Sequence, residues 1–115
     1  MPDWSLEESL YALHAEVCKA LAEPKRLRII TALRQREMSV AELSQFLNMP
    51  QPNLSHHLAI LRRLVILNAR RDGIHTYYSL SSQKVLQACD IMREVLWERL
   101  SQRAALSRQM ATAET

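Results

Sequence analysis

One glycine serves all 115 residues, and it stands at position 73, directly after Asp72. A chain with one glycine and four prolines cannot supply the turn about every ten residues that a β-sandwich demands. It must be built of helices joined by short connections. At 48% hydrophobic composition, this length fills one core but not two, so residues 1–115 are expected to form a single domain. The glycine also marks the place for a hairpin, because Asp-Gly is a strong signal for a two-residue type I′ turn. Centred on Asp72-Gly73, that turn pairs Arg71 with Ile74, Arg70 with His75, Ala69 with Thr76 and Leu67 with Tyr78. Leu67, Ala69, Thr76 and Tyr78 then share a core face, and Asn68, Arg70, His75 and Tyr77 the outer one.

The helices follow from apolar spacing and from capping chemistry. Leu6, Leu10, Leu13, Val17 and Leu21 lie three or four apart, the stripe of an amphipathic helix over 5–21. Glu23-Pro24 ends it and starts a second helix, with Leu27, Ile30 and Leu33 inward; proline suits the first helical position, where its missing N–H would have no partner anyway. Ser39-Val40-Ala41-Glu42 is a capping box, in which hydroxyl and carboxylate reciprocally satisfy free backbone N–H groups, and it opens a third helix through Leu47. Asn48, at ease in the left-handed conformation, closes that helix. Pro50 and Pro52 mark a fourth, with Leu54, Leu58 and Leu61 inward and Gln51, Asn53, Ser55, His56 and Arg62 outward. A last helix over 82–106 carries Val85, Cys89, Met92, Leu96 and Leu100 on one stripe, and the tail 107–115 is expected to fray. The order α-α-α-α-β-β-α, mainly helical with one small hairpin, is that of a winged helix-turn-helix.

Charge gives this arrangement a partner. Residues 51–80 hold Arg62, Arg63, Arg70 and Arg71 against Asp72 alone, so the whole net charge of +3 sits there; the other 85 residues balance 11 basic with 11 acidic side chains. A polar helix edge followed by a basic hairpin suits double-stranded DNA. Gln51, Asn53, Ser55 and His56 are candidates for base edges and phosphates, since Gln and Asn can bond adenine through two atoms and Ser and His suit single acceptors. Ser39 and Arg62 complete the helical set. His57 either joins it or packs at the helix-turn-helix junction. Arg70, Arg71 and His75 flank the wing tip, where cations reach phosphates or a minor groove, or serve solubility alone. The core and wing need only residues 24–80, so the helices of 1–22 and 82–106 are left for dimerisation. A two-fold dimer would set two reading helices about 34 Å apart on a palindromic site.

The segments ALAEPKRLRIITAL (20–33), SVAELSQFLNMPQPNLSHHLAILRR (39–63) and RRDGIHTYYSL (70–80) resemble the ArsR/SmtB family of winged-helix repressors. The similarity spans roughly residues 10–100. It implies a homodimer that represses by occluding a promoter and leaves DNA when an inducer binds, commonly a metal or metalloid ion, sometimes reactive sulfur or an oxidant. Three positions depart from the family pattern. Pro50 stands where the family usually has Ser, which removes an N-cap worth roughly 1 kcal/mol. Val65 stands where it usually has Gly, and a β-branched residue resists the left-handed exit, so a different exit and a shifted wing angle are expected. Asn48 replaces another Gly, a mild change.

Neither established metal site of the family is present, since Ser39–Leu43 holds no thiolate pair and 82–106 holds no His. The cysteine pair of sulfur-sensing members also fails to match near Thr31. Cys18 and Cys89 remain, 71 positions apart on the two terminal helices, with His14 one turn before Cys18. They are either small core residues, redox-active thiols, or ligands for a thiolate-bound metal or metalloid ion. No other cofactor is indicated.

The N-terminal MPDWSLEESL lacks the basic and apolar segments of a signal peptide, and no apolar run approaches a membrane span, so a cytoplasmic protein with free thiols is expected. An enzyme is not: the chain has no Gly-rich phosphate loop, and Ser55, His56 and His57 point to different helix faces. The alternatives are a winged helix used for protein contact and a constitutive regulator without an inducer.

Overall fold

The computed structural model describes residues 4–113 and contains α1 (Trp4–Ala20), α2 (Pro24–Ala32), β1 (Met38–Ser39), α3 (Val40–Leu47), α4 (Gln51–Arg63), β2 (Leu67–Asp72), β3 (His75–Leu80) and α5 (Gln83–Ala113). They fall into two units: residues up to Gln83, and the helix from Lys84 onward.

In the first unit, Ile29, Ile30 and Leu33 from the α2 segment meet Leu43 and Leu47 of α3, Leu54, Leu58 and Leu61 of α4, Met38 of β1 and Leu67 of β2 in the buried core. Leu27, expected inward, is only half-buried, and the adjacent Ile29 and Ile30 take the central place. The α3 start is the expected capping box: Glu42 N–H donates to Ser39 Oγ (3.1 Å) and Ser39 N–H donates to Glu42 Oε1 (3.1 Å). That bond from the Ser39 backbone, followed by one from Arg36, holds the Glu42 carboxyl below the usual glutamate range. Asn48 closes α3 at φ 52°, and Ser44 Oγ donates to the Met49 carbonyl (2.6 Å), fixing the short turn into α4.

The sheet departs from expectation in two ways. Met38 and Ser39 add a third strand, paired with Tyr78 and Tyr77, so the antiparallel order is β1-β3-β2. The hairpin register is two residues away from the expected one: Asp72 pairs with His75, Arg71 with Thr76, Arg70 with Tyr77, Ala69 with Tyr78 and Leu67 with Leu80. The turn therefore centres on Gly73 and Ile74. Only Gly73 has positive φ (63°), the pattern of a type II′ turn, which spares Asp72 the left-handed conformation a type I′ turn would impose. A shift of two preserves the alternation of side chains, so both predicted faces survive.

Val65 corrects another expectation. Its φ is 59°, so α4 leaves by the left-handed exit despite the β-branched side chain. Ile66 N–H donates to the Leu61 carbonyl (3.0 Å) and Val65 N–H to the Arg62 carbonyl (3.0 Å), the two bonds of a Schellman closure. Ser81 Oγ then donates toward the carbonyls of Val65 (2.6 Å) and Ile66 (3.0 Å), tying this exit to the end of β3.

In the second unit, α5 runs through Ala113, so residues 107–113 are helical rather than frayed; the final two residues of the expected tail lie outside the described residues. The segment SRQMATA contains no glycine or proline to stop a helix already under way. No helix among the described residues is long and apolar enough to cross a membrane.

Candidate nucleic-acid interface

Helix α4 has one anchored face and one free edge. Leu54, Leu58 and Leu61 are fully buried, whereas Gln51, Asn53, Ser55, His56, Arg62 and Arg63 are exposed. At 100° per residue, Gln51, Ser55 and Arg62 align in one stripe, and His56 and Arg63 share the pole opposite the leucines. Arg63, absent from the predicted set, is placed as well as Arg62; its sevenfold spacing from His56 was the available signal. The helix begins at Pro50 without a side-chain cap, and Pro52 occupies its first turn. Its first N–H groups are therefore left for another acceptor, and a phosphate suits a helix N-terminus.

Two predicted contacts are turned elsewhere. Ser39 is buried, and its hydroxyl is engaged in the α3 cap, so it is a structural cap and leaves the DNA set. His57 takes the junction alternative: it is half-buried, and its Nδ1 accepts a hydrogen bond from Arg26 Nε at 3.0 Å. Burial first, and the Arg26 charge second, lower its pKa below the usual histidine value. Because Nδ1 accepts the Arg26 bond, the proton of the bonded ring sits on Nε2. Arg26 also donates through Nη1 to the Ala20 carbonyl at 3.1 Å, and so joins α1, α2 and α4. Nothing in the local pattern of residues 24–33 announces a partner 31 positions away.

At the wing, Arg70 and Arg71 differ. Arg70 is gripped by Glu37, with Nε to Oε2 at 3.2 Å and Nη2 to Oε1 at 2.5 Å, and its guanidinium lies 4.9 Å from the centre of the Tyr77 ring. The hydrogen bond from Arg70 holds the Glu37 carboxyl below the ordinary glutamate range. Arg70 thus braces β1 against the hairpin, a role the sequence did not reveal because Glu37 is 33 positions away. Arg71 is exposed and makes only a long 3.5 Å bond to the Gly73 carbonyl, and exposed His75 stands across the hairpin. Ile74 projects at the tip, 89% exposed.

The predicted sensing residues divide between the two units. Cys18 and His14 are exposed on α1, and Cys89 is half-buried on α5. Among the described residues, no three His, Cys, Asp or Glu side chains are grouped to hold a metal ion.

Residues 23–68 match the model of the arsR family of bacterial regulatory proteins. The helix-turn-helix-type transcriptional regulator Rv0081 of Mycobacterium tuberculosis is 41% identical over 100 residues, covering 86% of this chain and 88% of that protein. Its crystal structure superposes with a TM-score of 0.73 over 83% of this chain and 96% of that one, at 40% identity. The transcriptional activator HlyU of Vibrio cholerae is 39% identical over 77 residues, covering 67% of this chain and 71% of that protein. A homodimeric winged helix-turn-helix DNA-binding domain from Mycobacterium bovis superposes with a TM-score of 0.75 over 87% of this chain and 91% of that one, at 29% identity. These relatives are regulators rather than enzymes, and the fold, the helix-turn-helix and the extent of the match agree with them. The chain belongs to the ArsR family of bacterial transcriptional regulators.

Proposed function

We propose that this chain acts as a homodimer that binds a palindromic operator, represses the promoter it covers and leaves when an inducer binds. One observation carries the DNA reading: α4 is fastened by three fully buried leucines and turns Gln51, Ser55, His56, Arg62 and Arg63 outward beside a hairpin bearing Arg71 and His75. Gln51, Asn53 and Ser55 read base edges; His56, Arg62, Arg71 and His75 hold phosphates. Arg70 supports the wing rather than contacting DNA. The homodimeric state of the M. bovis domain supports a second copy here, and α1 leaves Leu6, Leu10 and Leu13 exposed for it to cover.

Binding is tested by fluorescence anisotropy on operator and random duplexes at the same salt. The reading expects roughly nanomolar affinity for the operator, about a thousandfold or more above random DNA. Weak binding without sequence preference would favour a protein-contact module. A promoter reporter decides the direction of control, since the V. cholerae relative is named an activator.

Sensing falls to the thiols of Cys18 and Cys89, with His14 beside Cys18. The exposure of Cys18 favours direct reaction with an oxidant or reactive sulfur; a thiolate-bound metal or metalloid ion is the alternative signal. Operator affinity with and without polysulfide, arsenite or zinc, in wild type, Cys18→Ser and Cys89→Ser, tests this. Release in wild type that either serine variant abolishes is expected; identical responses in all three proteins dispose of thiol sensing, and no response marks a constitutive regulator.

A further inference from the structure

We infer that Arg26 is a positioning residue for the reading helix, a clamp that ties α4 to the last turn of α1 through His57, and that protonating His57 opens it. The inference rests on the DNA-binding role proposed for α4. Three elements meet at one guanidinium: it belongs to α2, its Nη1 donates to the Ala20 carbonyl at the end of α1, and its Nε donates to His57 Nδ1 on α4. Both bonds are partly shielded from water, where a hydrogen bond from a charged donor is worth more than at the open surface. Because α1 is the helix proposed for dimer contact, the clamp also links the placement of that helix to the placement of the reading helix.

Only the neutral ring can close it. An imidazolium carries a proton on both nitrogens, so Nδ1 would present an N–H to the Arg26 N–H, and two cations would face each other. The groups acting on His57 are Arg26 and Lys25 of α2, Glu23 at its N-cap and His56 on α4; all but Glu23 disfavour the charged ring. Glu16 and Lys19 of α1 line the recess next to Arg26, together with Arg63. Since the folded pKa lies below the ordinary value of 6.5, the neutral form is the one folding favours. Its stabilisation is present above that ordinary value and is lost as pH falls through the lowered one.

The test compares operator affinity from about pH 7.5 to about pH 5.5 in wild type, His57→Asn, Arg26→Lys and Arg26→Gln. Asparagine keeps an acceptor where Nδ1 stands but does not titrate. The two proteins differ only at residue 57, so the ratio isolates that position. The affinity of wild type relative to His57→Asn should fall about tenfold on acidification, Arg26→Gln should lose about tenfold at the higher pH, and Arg26→Lys should recover part of it. A ratio that stays constant, or Arg26→Gln binding like wild type, overturns the clamp. Circular dichroism verifies that the variants fold; should Arg26→Gln unfold, His57→Asn and ring-nitrogen NMR of the wild type without DNA decide. The NMR must show the neutral-pH proton on Nε2, and a proton on Nδ1 overturns the inference. If wild type binds no operator at any pH, the DNA reading has failed, and the NMR result alone settles Arg26.

Discussion

Val65 holds a left-handed backbone conformation with its side chain 69% exposed, so it bears the steric cost of a β-branched residue at φ 59° with little burial in return. The Schellman bonds and the Ser81 hydroxyl hold it there. Val65→Gly should therefore raise unfolding stability by about 1 kcal/mol, the relief of backbone strain exceeding the extra freedom of glycine in the unfolded chain. Urea denaturation measures this; an unchanged or lower midpoint would show that the site is not strained. Sequence reading identified the position because a usual glycine was missing, but it expected the exit to move. The exit is determined by hydrogen bonds to Leu61, Arg62 and Ser81, partners that residue 65 does not announce. His57 teaches the same lesson: its two alternatives were legible, and only Arg26 decides between them.

At the scale of elements, the wing was legible in its faces and not in its register. Alternation of apolar and polar residues specifies which side chains point inward, and a two-residue shift leaves that unchanged. The turn depended on a local preference of Asp-Gly that pairing of Asp72 with His75 overrode. Strand β1 escaped notice because two residues show no alternation. The unequal arginines yield a contrast that charge counting would miss. Arg71→Ala should weaken binding to every DNA sequence alike and reduce the salt slope by about one, whereas Arg70→Ala should leave the slope nearly unchanged. Glu37→Gln, by releasing Arg70, should raise affinity and steepen the slope. Titrations at several salt concentrations measure all three, and equal effects of the two arginine variants would contradict the distinct roles assigned to them.

For the whole molecule, the apolar stripe of α1 is a large feature a single chain leaves unexplained, as is that of α5, where Met92, Leu96 and Leu100 are exposed. Leu6, Leu10 and Leu13 are each more than half exposed. Leu10→Asp should leave the fold intact, because the side chain has little burial to lose. It should shift sedimentation from dimer to monomer and reduce operator affinity by more than about tenfold, because one half-site then binds alone. A variant that remains dimeric would move the interface elsewhere. The helical architecture was legible from one glycine, four apolar stripes and a capping box, and the helical state of 107–113 was not, since a segment with little to bury gives no periodic signal. The most direct test of the central claim is selection of bound duplexes from a random pool by the purified protein. The account predicts enrichment of two inverted half-sites with centres about one helical turn, 34 Å, apart. An enriched site without inverted symmetry, or no enrichment at all, would contradict it.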